Sequence, residues 1–207
     1  MKGSLYVLMI AASAAAFEFA PARRLSGVAP TLPPPTAVGW IEENVDVAVD
    51  ASGAARDVVL LHGTAPSPTL LGPAVATWLF RPATVEKQPV PSHVLVAAII
   101  RPPQLFDGPA LGRAPADFAP APDEIPYPTA VRRPRYPPRG LGNAMVLVEV
   151  LVGEDGRVRD AVVVQGAAGF NDEALETARE WVFRPARRHG ELVAAYAYLA
   201  FGFRQPV

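Results

Sequence analysis

One hexapeptide of this chain occurs twice. Trp78-Leu-Phe-Arg-Pro-Ala83 returns 103 residues later as Trp181-Val-Phe-Arg-Pro-Ala186. Holding that offset without a gap, Val45, Val47 and Val49 fall on Val148, Val150 and Val152, and Gly53 falls on Gly156. Arg56-Asp57 falls on Arg159-Asp160, Gly63 on Gly166, Val90 on Val193 and Arg101 on Arg204. A register kept from Val45 to Arg101 is the mark of a duplicated supersecondary unit, and any fold for the chain must contain that unit twice. The organisation that follows has a signal peptide at 1–16, or alternatively a short anchor. A Pro-rich leader at 17–37 and a degenerate repeat at 38–101 come next, followed by a Pro-rich linker at 102–138 and the second copy at 139–207.

Proline sorts itself around the repeats. Of the 24 Pro residues, eleven lie between Pro102 and Pro138 and five between Pro21 and Pro35. Fixed φ and a missing donor favour extended chain there, so both segments read as semi-rigid spacers. Nineteen Lys plus Arg stand against 20 Asp plus Glu, for a net charge of −1. That balance lacks the excess of cations that nucleic-acid binding needs. No Cys is present, which excludes disulfides, thiolate chemistry and Cys-ligated zinc. At the N-terminus Lys2 precedes an apolar run from Leu5 to Phe17 with small residues at Ala14 and Ala16. The run is shorter than the roughly 20 residues that span a bilayer and reads as a secretory signal cleaved after Ala16. The alternative is an anchor over residues 3–22. The expected compartment is the periplasm, or the inner membrane facing it if the anchor is kept.

Within the second copy, Val146, Val148, Val150 and Val152 alternate with Leu147, Glu149 and Leu151, and an Asp155-Gly156 turn leads into a returning strand at 158–164. Asn171 is an N-cap candidate, followed by Asp172 and Glu173. Ala174, Leu175, Ala178, Trp181 and Val182 make one apolar helical stripe, which Pro185 ends. A long strand at 193–203 closes the unit. The first copy keeps its hairpin at 45–50 and 55–61 and its last strand at 92–100. Its helix is interrupted by Gly72-Pro73 and is expected to be short or broken, from an N-cap at Ser67 or only over 73–79. The fold class is α+β, two strand-strand-helix-strand units with the helix packed on an antiparallel sheet.

Tyr136-Pro137, the hairpin at 146–164 with its Asp155-Gly156 turn, the run Ala178-Arg-Glu-Trp-Val-Phe-Arg-Pro-Ala186 and the closing Phe201-Gly-Phe203 together resemble the C-terminal domain of TonB, the periplasmic energy transducer. The resemblance covers the second copy and, more weakly, the first. It implies a protein-binding module rather than an enzyme, one that captures an extended TonB-box segment of an outer-membrane receptor by adding it as a strand beside the last strand, in transport across the outer membrane. Carried onto this chain, the implied contact residues are Arg133, Pro134, Arg135, Tyr136 and Pro137 ahead of the domain, and Ala194, Tyr196, Tyr198 and Ala200 on the last strand. Force transmission from an inner-membrane motor requires an uncleaved N-terminus.

Trp78, Phe80, Trp181 and Phe183 read as core. His62, His93 and His189 lie in different elements, which argues against a metal or catalytic cluster. Asp57 and Asp160 recur, and a structural role explains them more simply than paired acid and base. Arg132, Arg133, Arg135 and Arg139 form either a docking patch or a solvated run. No phosphate loop or catalytic motif is present, so neither a cofactor nor a small-molecule substrate is expected. A rival to peptide capture is a structural scaffold in which the repeats bury each other's edge strands.

Overall fold

The computed structural model describes residues 18–34, 39–63, 70–103, 116–117 and 119–207. The signal or anchor at 1–16 and the Ser67 cap lie outside these residues. The chain is α+β. Its first half runs β1 (Phe19–Ala20), β2 (Arg23–Ser26), β3 (Ile41–Val49), β4 (Ala55–Gly63), α1 (Gly72–Val75), β5 (Leu79–Arg81), β6 (Ala83–Val85), β7 (Gln88–Val90) and β8 (Ser92–Ile100). The second half runs β9 (Ala116–Asp117), β10 (Tyr127–Ala130), β11 (Ala144–Val152), β12 (Val158–Gln165), α2 (Asn171–Arg179), β13 (Val182–Arg184), β14 (Ala186–Arg188), β15 (Glu191–Val193) and β16 (Ala195–Phe203). Strands β3, β5, β6, β7 and β8 start and end 103 residues before β11, β13, β14, β15 and β16.

Seven strands form one sheet in the order β12-β11-β16-β8-β3-β4-β9. Antiparallel pairing joins β11 to β16, from Ala144 opposite Phe203 to Val152 opposite Ala195, and joins β3 to β8 in the same way. At the centre β16 and β8 run parallel, from Ala197 opposite Leu95 to Gly202 opposite Ile100. Parallel neighbours make the two halves trade faces. Val146, Val148, Val150, Leu199, Phe201, Trp181 and α2 build a core on one face, while Val45, Val47, Val49, Trp78, Phe80 and Val75 build a second core on the other. Strands β8 and β16 are therefore buried on both faces. This is why they read as continuous apolar runs instead of clean alternations.

The helices differ from expectation in three ways. First, α2 stops at Arg179, Trp181 lies between it and the next strand, and Val182 already belongs to that strand, so Pro185 falls between two strands instead of ending a helix. Second, the N-cap is Phe170. The Asn171 carboxamide instead accepts the Ala167 N–H at 2.8 Å and closes the preceding turn. Third, α1 is a single turn, Gly72–Val75, and is shorter than 73–79. Its approach is stabilised by a carboxylate from β3. Glu43, 1% exposed, accepts the N–H groups of Leu70 and Leu71 at 2.8 and 2.9 Å, and burial raises its pKa against the pull of those two donors. The stretch expected as one strand at 193–203 is two, β15 pairing with β14 before β16 begins.

Both Pro-rich segments pack onto the molecule where they are described, which corrects their reading as spacers. β1 pairs with β6 and β2 with β5, and Ala22 and Ala29 are buried. Later, β10 pairs with β13 and Ile125 is buried. Each segment accepts one indole N–H, from Trp78 to the Val28 carbonyl at 2.8 Å and from Trp181 to the Arg132 carbonyl at 3.0 Å.

Candidate protein-interaction site

Strand β16 is the element on which the expected site rests, and its side chains alternate between the two cores. Ala197, Leu199, Phe201 and Phe203 join one core and Tyr198 and Ala200 the other. Tyr198 is fully buried, its ring edge-on to Trp78 with centroids 5.3 Å apart. A phenol in such a place must find partners. It donates to Glu149 Oε2 at 2.9 Å and accepts the Arg24 N–H at 2.5 Å. Burial, and next the charge of Glu149, push the phenol well above its ordinary pKa, so it remains a donor. Glu149, 4% exposed, is also bound by Arg23, whose Nε lies 3.0 Å from Oε1 and whose guanidinium stacks on the Tyr196 ring at 5.2 Å. Arg24 stacks on Trp78 at 4.7 Å. The leader thus reaches across and locks onto the last strand of the second half.

Glu149 stands 103 residues after Asp46, and the earlier acid is also buried. Asp46 Oδ2 lies 2.7 Å from His93 Nδ1, a bond that raises the imidazole pKa against the opposing effect of burial. No group of three or more His, Asp or Glu side chains that could hold a metal ion forms among the described residues. Asp57 and Asp160 each accept the N–H of the following residue, at 2.9 Å in both cases.

The expected contact residues do not assemble into one open surface. Arg133 is engaged, its Nε and a terminal nitrogen 3.1 and 2.9 Å from Glu42 and its guanidinium 5.0 Å over Trp40, so it ties the second half to the first. Arg132 pairs with Glu180. The Arg135 N–H donates to Glu173 at 2.8 Å while its side chain is exposed. Tyr136 donates to the Gly142 carbonyl at 2.8 Å and packs edge-on against Phe170, and Pro134 and Pro137 are buried. On the last strand Ala194 and Tyr196 are half-buried, and Tyr198 and Ala200 are inaccessible. From Ala197 to Gly202 both edges of β16 are already occupied, by β11 and by β8. The expectation of an open edge at 193–203 is corrected accordingly over Ala197–Gly202, where the strand has a neighbour on each side. Trp78, Phe80, Trp181 and Phe183 are each no more than 3% exposed.

The polar lock of Arg23, Arg24, Glu149 and Tyr198 was not foreseen from the sequence. Its signal was there in two acids, Asp46 and Glu149, at the same register of two apolar strands. An acid that recurs in a buried row needs a partner.

Among the described residues no helix is long and apolar enough to cross a membrane. No curated protein matches the chain. Residues 132–204 match the family model described as Gram-negative bacterial TonB protein C-terminal. That match runs from the Arg132 carbonyl that receives Trp181 through all of β11, α2 and β16, and leaves β8 outside. Over residues 132–204, about a third of its length, the chain is therefore similar to the TonB C-terminal domain.

Proposed function

We propose that this protein is an exported, tandem TonB-like interaction module held in a closed form, with the last strands of its two copies covering one another. The observation that carries the reading is the parallel pairing of β16 with β8, which takes the edge where an extended segment would otherwise add. The exact correspondence of β3, β5, β6, β7 and β8 with strands 103 residues later supports duplication. In this reading the protein acts as a scaffold in the periplasm, and an outer-membrane receptor segment of TonB-box type gains β16 only if β8 leaves.

Hydrogen exchange on the free protein tests this directly. Amides along Ala195–Phe203 are expected to exchange as slowly as those of β11, and titration with TonB-box-type peptides is expected to leave them unchanged. Fast exchange on the β8 side of β16, or saturable peptide protection there, would instead establish capture at the last strand. Intact mass of the native protein settles the remaining alternative. A chain that begins at Phe17 is a released module, and one that keeps residues 3–22 is an anchored transducer able to meet an inner-membrane motor.

A further inference from the structure

Two strands bound the six long strands of the sheet, β12 on one side and β4 on the other, and the chain treats them differently. Against β4 it lays a short extended piece of itself. β9 runs antiparallel there, with Asp117 opposite His62 and Ala116 opposite Gly63. The matching end of β12 has no strand on its outer side among the described residues, whereas at the start of the strand the neighbouring Arg157 bridges Val182. Side chains follow the same division. Leu61 is 1% exposed within a core that Ala119 and Ala121 pack against, whereas its counterpart 103 residues later, Val164, is 37% exposed. Val162 is 45% exposed. From Ala161 to Val164 the edge carries neither charge nor Pro, the devices that ordinarily blunt a free strand.

We propose that the outer edge of β12 is a docking site for an extended segment of a partner protein, which adds antiparallel to Asp160–Gln165 and lays apolar side chains beside Val162 and Val164. The occupant is argued from β9. At the equivalent edge the sheet takes a short extended piece that approaches from a Pro-rich stretch, not the edge of another sheet. The proposal rests on the protein-interaction reading above and supplies the edge and the partner's chemistry. It is independent of whether β16 opens, since β12 and β16 lie on opposite sides of β11.

The probe is a synthetic peptide of the chain's own residues 111–120, with a second version N-methylated on the backbone at the positions of Ala116 and Asp117. Hydrogen exchange of the full chain is followed with and without each at saturating concentration. Expected is about tenfold slower exchange within 160–165 on adding the first peptide, and no change with the methylated one, because pairing requires backbone donors. The double variant Val162→Lys/Val164→Lys is expected to lose the effect while keeping the melting temperature of the parent. No slowing at β12, or equal slowing with the methylated peptide, overturns the proposal. So does protection of β12 already present in the free protein; a dependence on protein concentration then identifies a second copy as the occupant, and independence identifies another segment of the same chain. Each of these outcomes leaves the exchange behaviour of β16, and hence the closed reading, to be judged separately.

Discussion

Asp46 and Glu149 occupy one position in two settings, and the difference decides how each responds to pH. Glu149 is held by a phenol and a guanidinium, neither of which titrates near neutrality. Asp46 is held by an imidazole, with the charge of Glu124 acting on the ring as well. The raised pKa of His93 means that the folded chain binds its proton more tightly than the unfolded chain does. The resulting stability is complete below the ordinary imidazole value of about 6.5 and fades as pH rises through the higher folded value. Urea midpoints measured across that window are expected to fall with rising pH in the parent protein and to change less in His93→Gln. Identical slopes in the two proteins would remove the pair from the account.

Two glycines of the hairpins make a second comparison at matched positions. Gly53 and Gly156 have φ of +87° and +75°, and a Cβ on either would lie 2.0 Å from a backbone carbonyl oxygen, of Phe80 and Phe183 respectively. Those residues donate back to the glycine carbonyls at 2.8 and 2.9 Å, stitching each hairpin to the strand that follows its helix. Replacement by Ala is expected to destabilise at either site by more than about 1 kcal/mol, since both backbone strain and a backbone clash oppose it. Chemical denaturation of the two single variants measures this, and a neutral result at either site would show that its hairpin is free to move.

At the scale of elements, the long strands were legible because period-two patterning and a repeated register are local properties of the sequence. β8 was read from the sequence at its observed bounds, and β3 and β11 to within a few residues. The short strands β5, β6 and β13 escaped notice because their pairing is decided elsewhere, by leader and linker segments that look like spacers when Pro content alone is weighed. The helix end at Arg179 was hidden for a related reason. Trp181 continues the apolar stripe past the last helical residue, with its indole N–H on the Arg132 carbonyl, so the stripe alone overstates the helix. The site was the least legible part. An open edge and an occupied edge have the same alternating sequence, and only the neighbour across the sheet distinguishes them. The parallel pairing of β16 with β8 is such a fact, formed between residues about a hundred positions apart.

For the whole molecule, the decisive property is that neither core is built by one half alone. Leu147, Tyr198 and Ala200 enter the core under Trp78, and Leu61, Leu95, Ala97 and Ile99 enter the one under Trp181. The chain is expected to unfold as one cooperative unit, in a single calorimetric transition whose van't Hoff and calorimetric enthalpies agree. Leu95→Ala, a change in the first half, is expected to cost about 2–5 kcal/mol and to loosen α2 and β11 amides as much as those of β3. Two resolved transitions, or loosening confined to β3 and β4, would show that the halves are separable after all.

The same topology gives the connection between the halves an unexpected length. Ile100 ends β8 beside Gly202, and Ala144 begins β11 opposite Phe203, so β8 ends and β11 begins at the same end of the sheet, two strand positions apart, with β9 visiting the far edge beside β4 on the way. That gap is about 10 Å at the ordinary spacing of strands, a distance that about three or four extended residues cross. The intervening 101–143 is far longer than reach demands, and its described part seats Ile125 in the core and carries the carbonyl that receives Trp181. The segment serves as a roof over one face of the sheet more than as a tether between its halves. Shortening it to the geometric minimum would therefore still join β8 to β11 but would remove β9 and strip the cover from Trp181.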